Sequence, residues 1–129
     1  MSVLLGIALA TTVLAANPSA VALDDLARTG KLLVASGDRP KRREKVLEIQ
    51  IHGCIVTFKT KIMPNGFAAQ MIDIGQGSKV ERTGRDTVRL RGSTRFPEIT
   101  VLVSGGETKT LFDELETVRK SCETSDQIF

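Results

Sequence analysis

The residues best suited to chemistry in this sequence are its one histidine and its two cysteines. His52 and Cys54 stand two positions apart, and an imidazole beside a thiol can stabilise the nucleophilic thiolate of a cysteine enzyme. The pair also has a simpler interpretation, because Cys122 is available to form a disulfide with Cys54. We predict the structural disulfide between Cys54 and Cys122, and we expect His52 to lie exposed on the polar face of a strand.

Other patterns that resemble catalytic or ligand-binding motifs are incomplete. Gly30-Lys31 lacks the upstream glycine and the following Ser or Thr of a phosphate-binding P-loop. Two cysteines without a CxxC spacing and one histidine do not make the usual tetrahedral zinc site. The carboxylates Asp113, Glu114 and Glu116 fall on a predicted helix, on which most of them face solvent. The sequence therefore indicates no catalytic centre, no metal and no cofactor.

Basic side chains are the feature of this sequence that stands out most. Residues 28–95 hold fifteen Lys or Arg against six Asp or Glu, a net charge of +9, whereas residues 96–129 have a net charge of −4. Such a surface attracts partners of the opposite charge. The candidate ligand-binding residues are Lys59 and Lys61 on one predicted strand, Arg89 and Arg91 on another, Arg82 and Arg85 at a turn, and Lys41, Arg42 and Arg43 on an exposed connection.

The predicted partner of this basic face is an anionic component of the cell envelope or an acidic protein. The four strand residues form one patch if their two strands are neighbours in a sheet. Nucleic acid fits less well, because single-strand readers stack bases on aromatic side chains, and this chain has no Trp or Tyr and only five Phe, which we assign to the core. Two alternatives remain: the charges serve solubility alone, or the protein is a small envelope enzyme whose chemistry the sequence does not identify. No oligomeric state is indicated.

The N-terminal residues predict export. Residues 3–14 are apolar or small and uncharged, which is far short of the roughly 20 residues of a transmembrane helix. The small-x-small pattern that signal peptidase reads then occurs at Ala20-Val21-Ala22. We therefore predict a cleavable signal over residues 1–22.

The predicted mature protein is one small domain over residues 23–129, periplasmic or secreted, with no transmembrane span. Cleavage after Ala16 is an alternative, and a buried N-terminal helix is another. The apolar run lacks the Lys or Arg that usually precedes it, so the signal is either minimal or part of a longer leader. An exported location also favours the disulfide.

Hydrophobic periodicity predicts the elements that position these residues. A short helix is expected over residues 23–33 and a second one from Thr108 or Thr110, with Leu111, Leu115, Val118 and Cys122 on its apolar stripe. Five strands are expected between them, over residues 46–52, 54–61, 67–74, 86–91 and 98–103, with a phase change at Gly53 and a hairpin turn at Met63-Pro64-Asn65-Gly66. The predicted fold is α+β: an antiparallel meander with the C-terminal helix packed on one face.

Overall fold

The structure, a computed structural model, describes residues 18–75, 77–92 and 98–128. Two helices and eight strands occur in these ranges, and the fold is α+β as predicted. The elements in chain order are α1 (Pro18–Arg28), β1 (Leu32–Ser36), β2 (Glu44–Lys45), β3 (Glu48–His52), β4 (Ile55–Met63), β5 (Gly66–Asp73), β6 (Lys79–Arg82), β7 (Thr87–Arg91), β8 (Glu98–Val103) and α2 (Thr108–Ile128). The strands form two antiparallel sheets, one ordered β2-β1-β8-β7-β6 and one ordered β3-β4-β5.

The larger sheet follows from the clean alternation of β7 and β8. Alternate residues of β8 are buried, and Val101 has Val88 of β7 on one side and Val34 of β1 on the other. Because residues directly opposite each other point to the same side of a sheet, these apolar side chains form one continuous inner face. Helix α2 packs against β6, β7 and β8 on that face.

Helix α2 confirms the predicted apolar stripe. Leu111 and Leu115 have no exposed surface, and Val118 and Cys122 are each 5% exposed. The hydroxyl of Thr108 donates to the carbonyl of Arg85 at 2.8 Å and ties the first turn of α2 to the β6–β7 turn. The 3.6-residue period of this segment therefore defines its buried face as expected.

The smaller sheet consists of two successive hairpins. The phase change at Gly53 is a reversal of the chain, because His52 is paired directly with Ile55. Gly53 has a φ of +60°, a left-handed conformation that a residue with a Cβ rarely adopts. The second hairpin turns at residues 64 and 65, as the Pro-Asn-Gly signal predicts.

Two segments differ from the predicted elements. Residues 32–36 form β1, the second strand of the larger sheet, although the predicted first helix included Leu32 and Leu33. Their apolar run is compatible with a helix or a buried strand, and pairing with β2 and β8 decides for the strand. Helix α1 is described from Pro18, five residues before the predicted start at Leu23. Proline is favoured in a first helical turn, where its missing N–H has no partner to lose.

Candidate functional site

The structure divides the predicted basic face between the two sheets. Lys59 and Lys61 lie on β4, which pairs with β3 and β5, whereas Arg89 and Arg91 lie on β7, which pairs with β6 and β8. The condition for a single patch of these four residues, that their two strands are neighbours in a sheet, is therefore not met. The turns at Gly53 and at residues 64 and 65 pair β4 with its own neighbours in sequence and close the smaller sheet locally.

The two arginines of β7 belong to an ion-pair network on the outer face of the larger sheet. Arg89 contacts Glu81 at 3.0 Å and Glu98 at 3.5 Å, and Arg91 contacts Glu98 at 3.9 Å. The hydrogen bond from Arg89 lowers the pKa of Glu81, and the same bond raises the pKa of Arg89. These cations are largely balanced by carboxylates of neighbouring strands.

Lys59 and Lys61 have different surroundings because the strand is irregular between them. Lys59 is opposite Ala69 and Lys61 is opposite Ala68, so a β-bulge turns the two lysines to opposite sides of the sheet. Lys59 is only 13% exposed and pairs with Glu48 at 2.9 Å. Lys61 is exposed, and no ion pair involves it among the described residues.

The connection between β1 and β2 carries a cluster of exposed cations. We call Arg39, Lys41, Arg42 and Arg43 the basic loop. All four are exposed, and within the described part of the chain none of them forms an ion pair. Two acids, Asp38 and Glu44, flank the loop in sequence. Asp38 accepts a hydrogen bond from the Ser36 hydroxyl, and this bond lowers the pKa of Asp38. Arg39 was not among the predicted site residues, although it adjoins the same run of basic residues.

A groove of about 250 Å³ separates the basic loop from the smaller sheet. Its lining combines two arginines with polar and acidic groups: Ser36, Asp38, Arg39, Arg42, Glu44 and Gln70. Gln70 lies two positions from Ala68, the residue opposite Lys61, so Gln70 and Lys61 are on the same side of the β4–β5 pair. The groove therefore connects the basic loop to the side of the hairpin on which Lys61 lies.

Arg82 and Arg85 lie at the other end of the larger sheet. Both are exposed at the β6–β7 turn, beside Asp86, whose carbonyl accepts the Val103 amide. The basic loop leaves β1 at Ser36, which is opposite Ile99 at the other end of β8. The predicted cations are thus divided among separate surfaces. Of the predicted set, Arg42 lines the groove, and Lys61 lies on the groove's side of the hairpin.

The two cysteines lie near each other, but the structure does not join them by a disulfide. Cys54 is half-buried in the β3–β4 turn, and Cys122 is buried on α2. The Cys122 thiol donates to the carbonyl of Gly53, next to Cys54, at 3.4 Å. The two cysteines therefore lie near each other as expected. The disulfide bond between them stays a prediction. His52 is exposed, as expected.

A second cavity, of about 430 Å³, lies between β6 and α2. Its lining residues are Ser78, Lys79, Val80, Glu81, Glu116 and Arg119. The buried Ser78 hydroxyl has no hydrogen-bond partner among the described residues, but the lining holds no imidazole to act as its base. Glu116 is engaged by Arg119 through two contacts of 3.0 Å. This cavity therefore does not assemble the nucleophile and base of a hydrolase.

Two further properties bear on function. Among the described residues, no group of three or more His, Cys, Asp or Glu side chains is placed to hold a metal ion. No described helix is long and apolar enough to cross a membrane.

Comparison of the chain with protein-family models, curated proteins and solved structures finds no match. Its function therefore has to follow from the chemistry of the surface described above.

Proposed function

We propose that this protein is an exported, non-catalytic binding protein that takes an anionic ligand at the basic loop and its groove. One observation carries the proposal: the four cations of the basic loop are exposed and have no ion-pair partner in the described ranges, whereas Lys59, Arg89 and Arg91 are paired with glutamates. Four exposed cations beside two acids, Asp38 and Glu44, leave a net positive charge that attracts polyanions.

The residue types of the basic loop favour phosphate or carboxylate groups on the ligand. Three of its four cations are arginines, and a planar guanidinium donates two parallel hydrogen bonds to such groups. Arg39 and Arg42 line the groove, and Lys61 lies beyond Gln70 on the same side of the hairpin. A ligand with several anionic groups can therefore contact the loop and the hairpin together.

Burial around the predicted cleavage site supports the export part of the proposal. Val21 is 56% exposed and Ala22 is half-buried, whereas Leu23 has no exposed surface. Asp24 then accepts the Ile49 amide at 3.0 Å and pairs with Arg28 at 2.8 Å. Removal of residues 1–22 would leave the side chains that tie α1 to β3 in place.

Charge reversal at two arginines of the basic loop tests the binding function. In Arg42→Glu/Arg43→Glu, we expect at least tenfold weaker binding of dextran sulfate at 0.01 M salt, because each basic residue near an anionic surface contributes about 1 kcal/mol. Binding of the unchanged protein should weaken steeply toward 0.15 M salt, as the screening length falls from about 30 Å to about 8 Å. Isothermal titration calorimetry measures both effects.

The matched control is Arg82→Glu/Arg85→Glu, which makes the same change in net charge at the opposite end of the larger sheet. Both control arginines are exposed and, like those of the loop, belong to no ion pair among the described residues. We expect less than a threefold loss of binding. Equal losses from the two double variants would show that net charge alone drives binding. Failure to bind dextran sulfate at low salt would refute the proposed function.

A further inference from the structure

The β4–β5 hairpin ends in an exposed cluster of large apolar side chains. Ile62, Met63 and Phe67, which we call the apolar tip, are 61%, 41% and 46% exposed. Ile62 is directly opposite Phe67, and Met63 is opposite Gly66. Phe67 was expected in the core, but it follows the turn and lies beyond the buried part of the sheet. Single exposed apolar residues are ordinary on a surface, whereas a contiguous cluster marks an interaction site.

Lysines lie beside the apolar tip on both sides of the sheet, and Lys61 is the one that forms no ion pair among the described residues. Residues 60–72 contain one charged side chain, Lys61, and no acid. Lys61 lies on the side of the groove, while the ammonium of Lys59, on the other side, is 4.3 Å from the centre of the Phe67 ring. The basic loop adds Arg39 and Arg42 across the groove. Peripheral membrane proteins bind anionic bilayers in this way: apolar side chains insert between the headgroups, and adjacent basic residues contact the anionic headgroups.

We infer that the apolar tip docks on an anionic lipid bilayer, with its three side chains at the boundary between headgroups and acyl chains. The basic loop and Lys61 then contact the lipid phosphates. This inference rests on the proposed function and identifies its ligand. Charge complementarity favours a bilayer over a second copy of the chain, because a second copy would bring the same cations into the contact. It also accounts for the absence of any acid from residues 60–72.

A single tryptophan at the tip tests the inference directly. The chain has no Trp or Tyr, so the indole in Met63→Trp is the one strong emitter. We expect a blue shift with vesicles of phosphatidylcholine and phosphatidylglycerol in equal parts, together with quenching by lipids brominated on their acyl chains. Vesicles of phosphatidylcholine alone should give at least tenfold weaker binding. An emission spectrum that stays water-like at saturating anionic vesicles would overturn the inference.

The control is Ile55→Trp, on the face of the β4–β5 pair that carries Ile62 and Phe67 but near the other hairpin. Ile55 is 40% exposed and stands opposite Asp73, about 25 Å from Met63 at the rise of an extended strand. Its emission should remain water-like in the presence of the same vesicles. Equal quenching at both positions would contradict insertion by the tip, because it would require the whole length of the hairpin to enter the bilayer.

Two double variants separate this inference from the proposed function. Ile62→Ser/Phe67→Ser should bind anionic vesicles at least tenfold more weakly but bind dextran sulfate normally, whereas Arg42→Glu/Arg43→Glu should lose both. If the serine variant keeps full vesicle binding, the inference fails and the proposed function stands. If the glutamate variant keeps both, the proposed function fails.

Sedimentation equilibrium without lipid tests the competing occupant. We expect the unchanged protein and the serine variant to have the same mass. A dimer that the serine variant abolishes would identify the apolar tip as a self-association surface and overturn the inference. The circular dichroism of all variants should match that of the unchanged protein, because the substituted side chains are exposed.

Discussion

Whether a basic side chain of this protein is free to bind a ligand depends on its neighbours in the fold more than on its position in the alternating sequence pattern. Arg89 and Arg91 follow a clean alternation and do point away from the core, yet glutamates of the adjacent strands pair with them. Lys59 and Lys61 obey the same spacing in sequence, but the bulge between them turns them to opposite sides. A period-two pattern predicts which side chains leave the core; it does not predict which acids they meet there.

The ion pair between Glu81 and Arg89 predicts a dependence of stability on pH. The hydrogen bond from Arg89 lowers the pKa of Glu81 from its ordinary value of 4.5. A carboxyl group whose pKa is lower in the folded state stabilises the fold above its unfolded pKa, and this contribution is lost as pH falls through the folded pKa. The unchanged protein should therefore be more stable than Glu81→Gln at pH 7, and the difference should shrink as pH falls through the lowered pKa of Glu81.

Urea denaturation of both proteins at pH 7, 5, 4 and 3 measures this difference. Glu114→Gln serves as the control, because the same charge is removed from a residue that belongs to no ion pair in the described chain. Its stability difference should change less between pH 7 and pH 3. A difference for Glu81→Gln that stays constant down to pH 3 would show that the carboxylate charge does not contribute.

At the scale of elements, the predictions succeeded where one local pattern decides the structure. The apolar stripe of α2 and the turn of the β4–β5 hairpin were identified from spacing and turn residues alone. The prediction failed for β1, because the conformation of an unbroken apolar run depends on the strands with which it pairs. Its partner β8 is more than sixty residues away along the chain. The strands β2 and β6 were missed because their two and four residues are too few to show an alternating pattern.

The candidate site was predicted in part. The run of Lys41, Arg42 and Arg43 was correctly expected on an exposed connection. The groove beside it depends on Gln70, which the tertiary fold brings across from β5. The apolar tip has a signal in the sequence, since Ile62, Met63 and Phe67 flank a tight turn, where side chains project away from a core.

Helix α1 provides a test of export. Because the predicted cleavage pattern ends at Ala22 and Leu23 is the first buried residue among those whose burial the structure describes, we expect the exported protein to begin at Leu23, with the attachment of α1 intact. Edman sequencing or intact mass of the protein from a periplasmic fraction measures this end. Asn17 as the first residue would indicate the alternative cleavage after Ala16, and Met1 retained on periplasmic protein would contradict the predicted signal.

The whole molecule has two thiols where the smaller sheet meets α2. Because Cys54 and Cys122 lie near each other and an oxidising compartment is proposed, we expect them to form a disulfide in the exported protein. Its loss should destabilise the fold by on the order of 4 kcal/mol, since the bond closes a loop of nearly seventy residues.

Mass spectrometry under non-reducing conditions should find the periplasmic protein two hydrogens lighter than its dithiol form. Urea denaturation with and without a reductant then measures the stabilisation, and Cys54→Ser/Cys122→Ser should show no effect of the reductant. Two titratable thiols in the native periplasmic protein would contradict the bond.

The pairing of β1 with β8 also affects when the molecule can fold. All five residues of β1 pair with residues 99–103, so the larger sheet stays incomplete until most of the chain has been synthesised. At roughly 5–20 residues per second, β1 waits about 3 to 13 seconds for this partner, whereas β3, β4 and β5 find theirs within short turns. A chain that follows the proposed export route would thus leave the ribosome with its larger sheet still open, in a form that a translocation channel can thread.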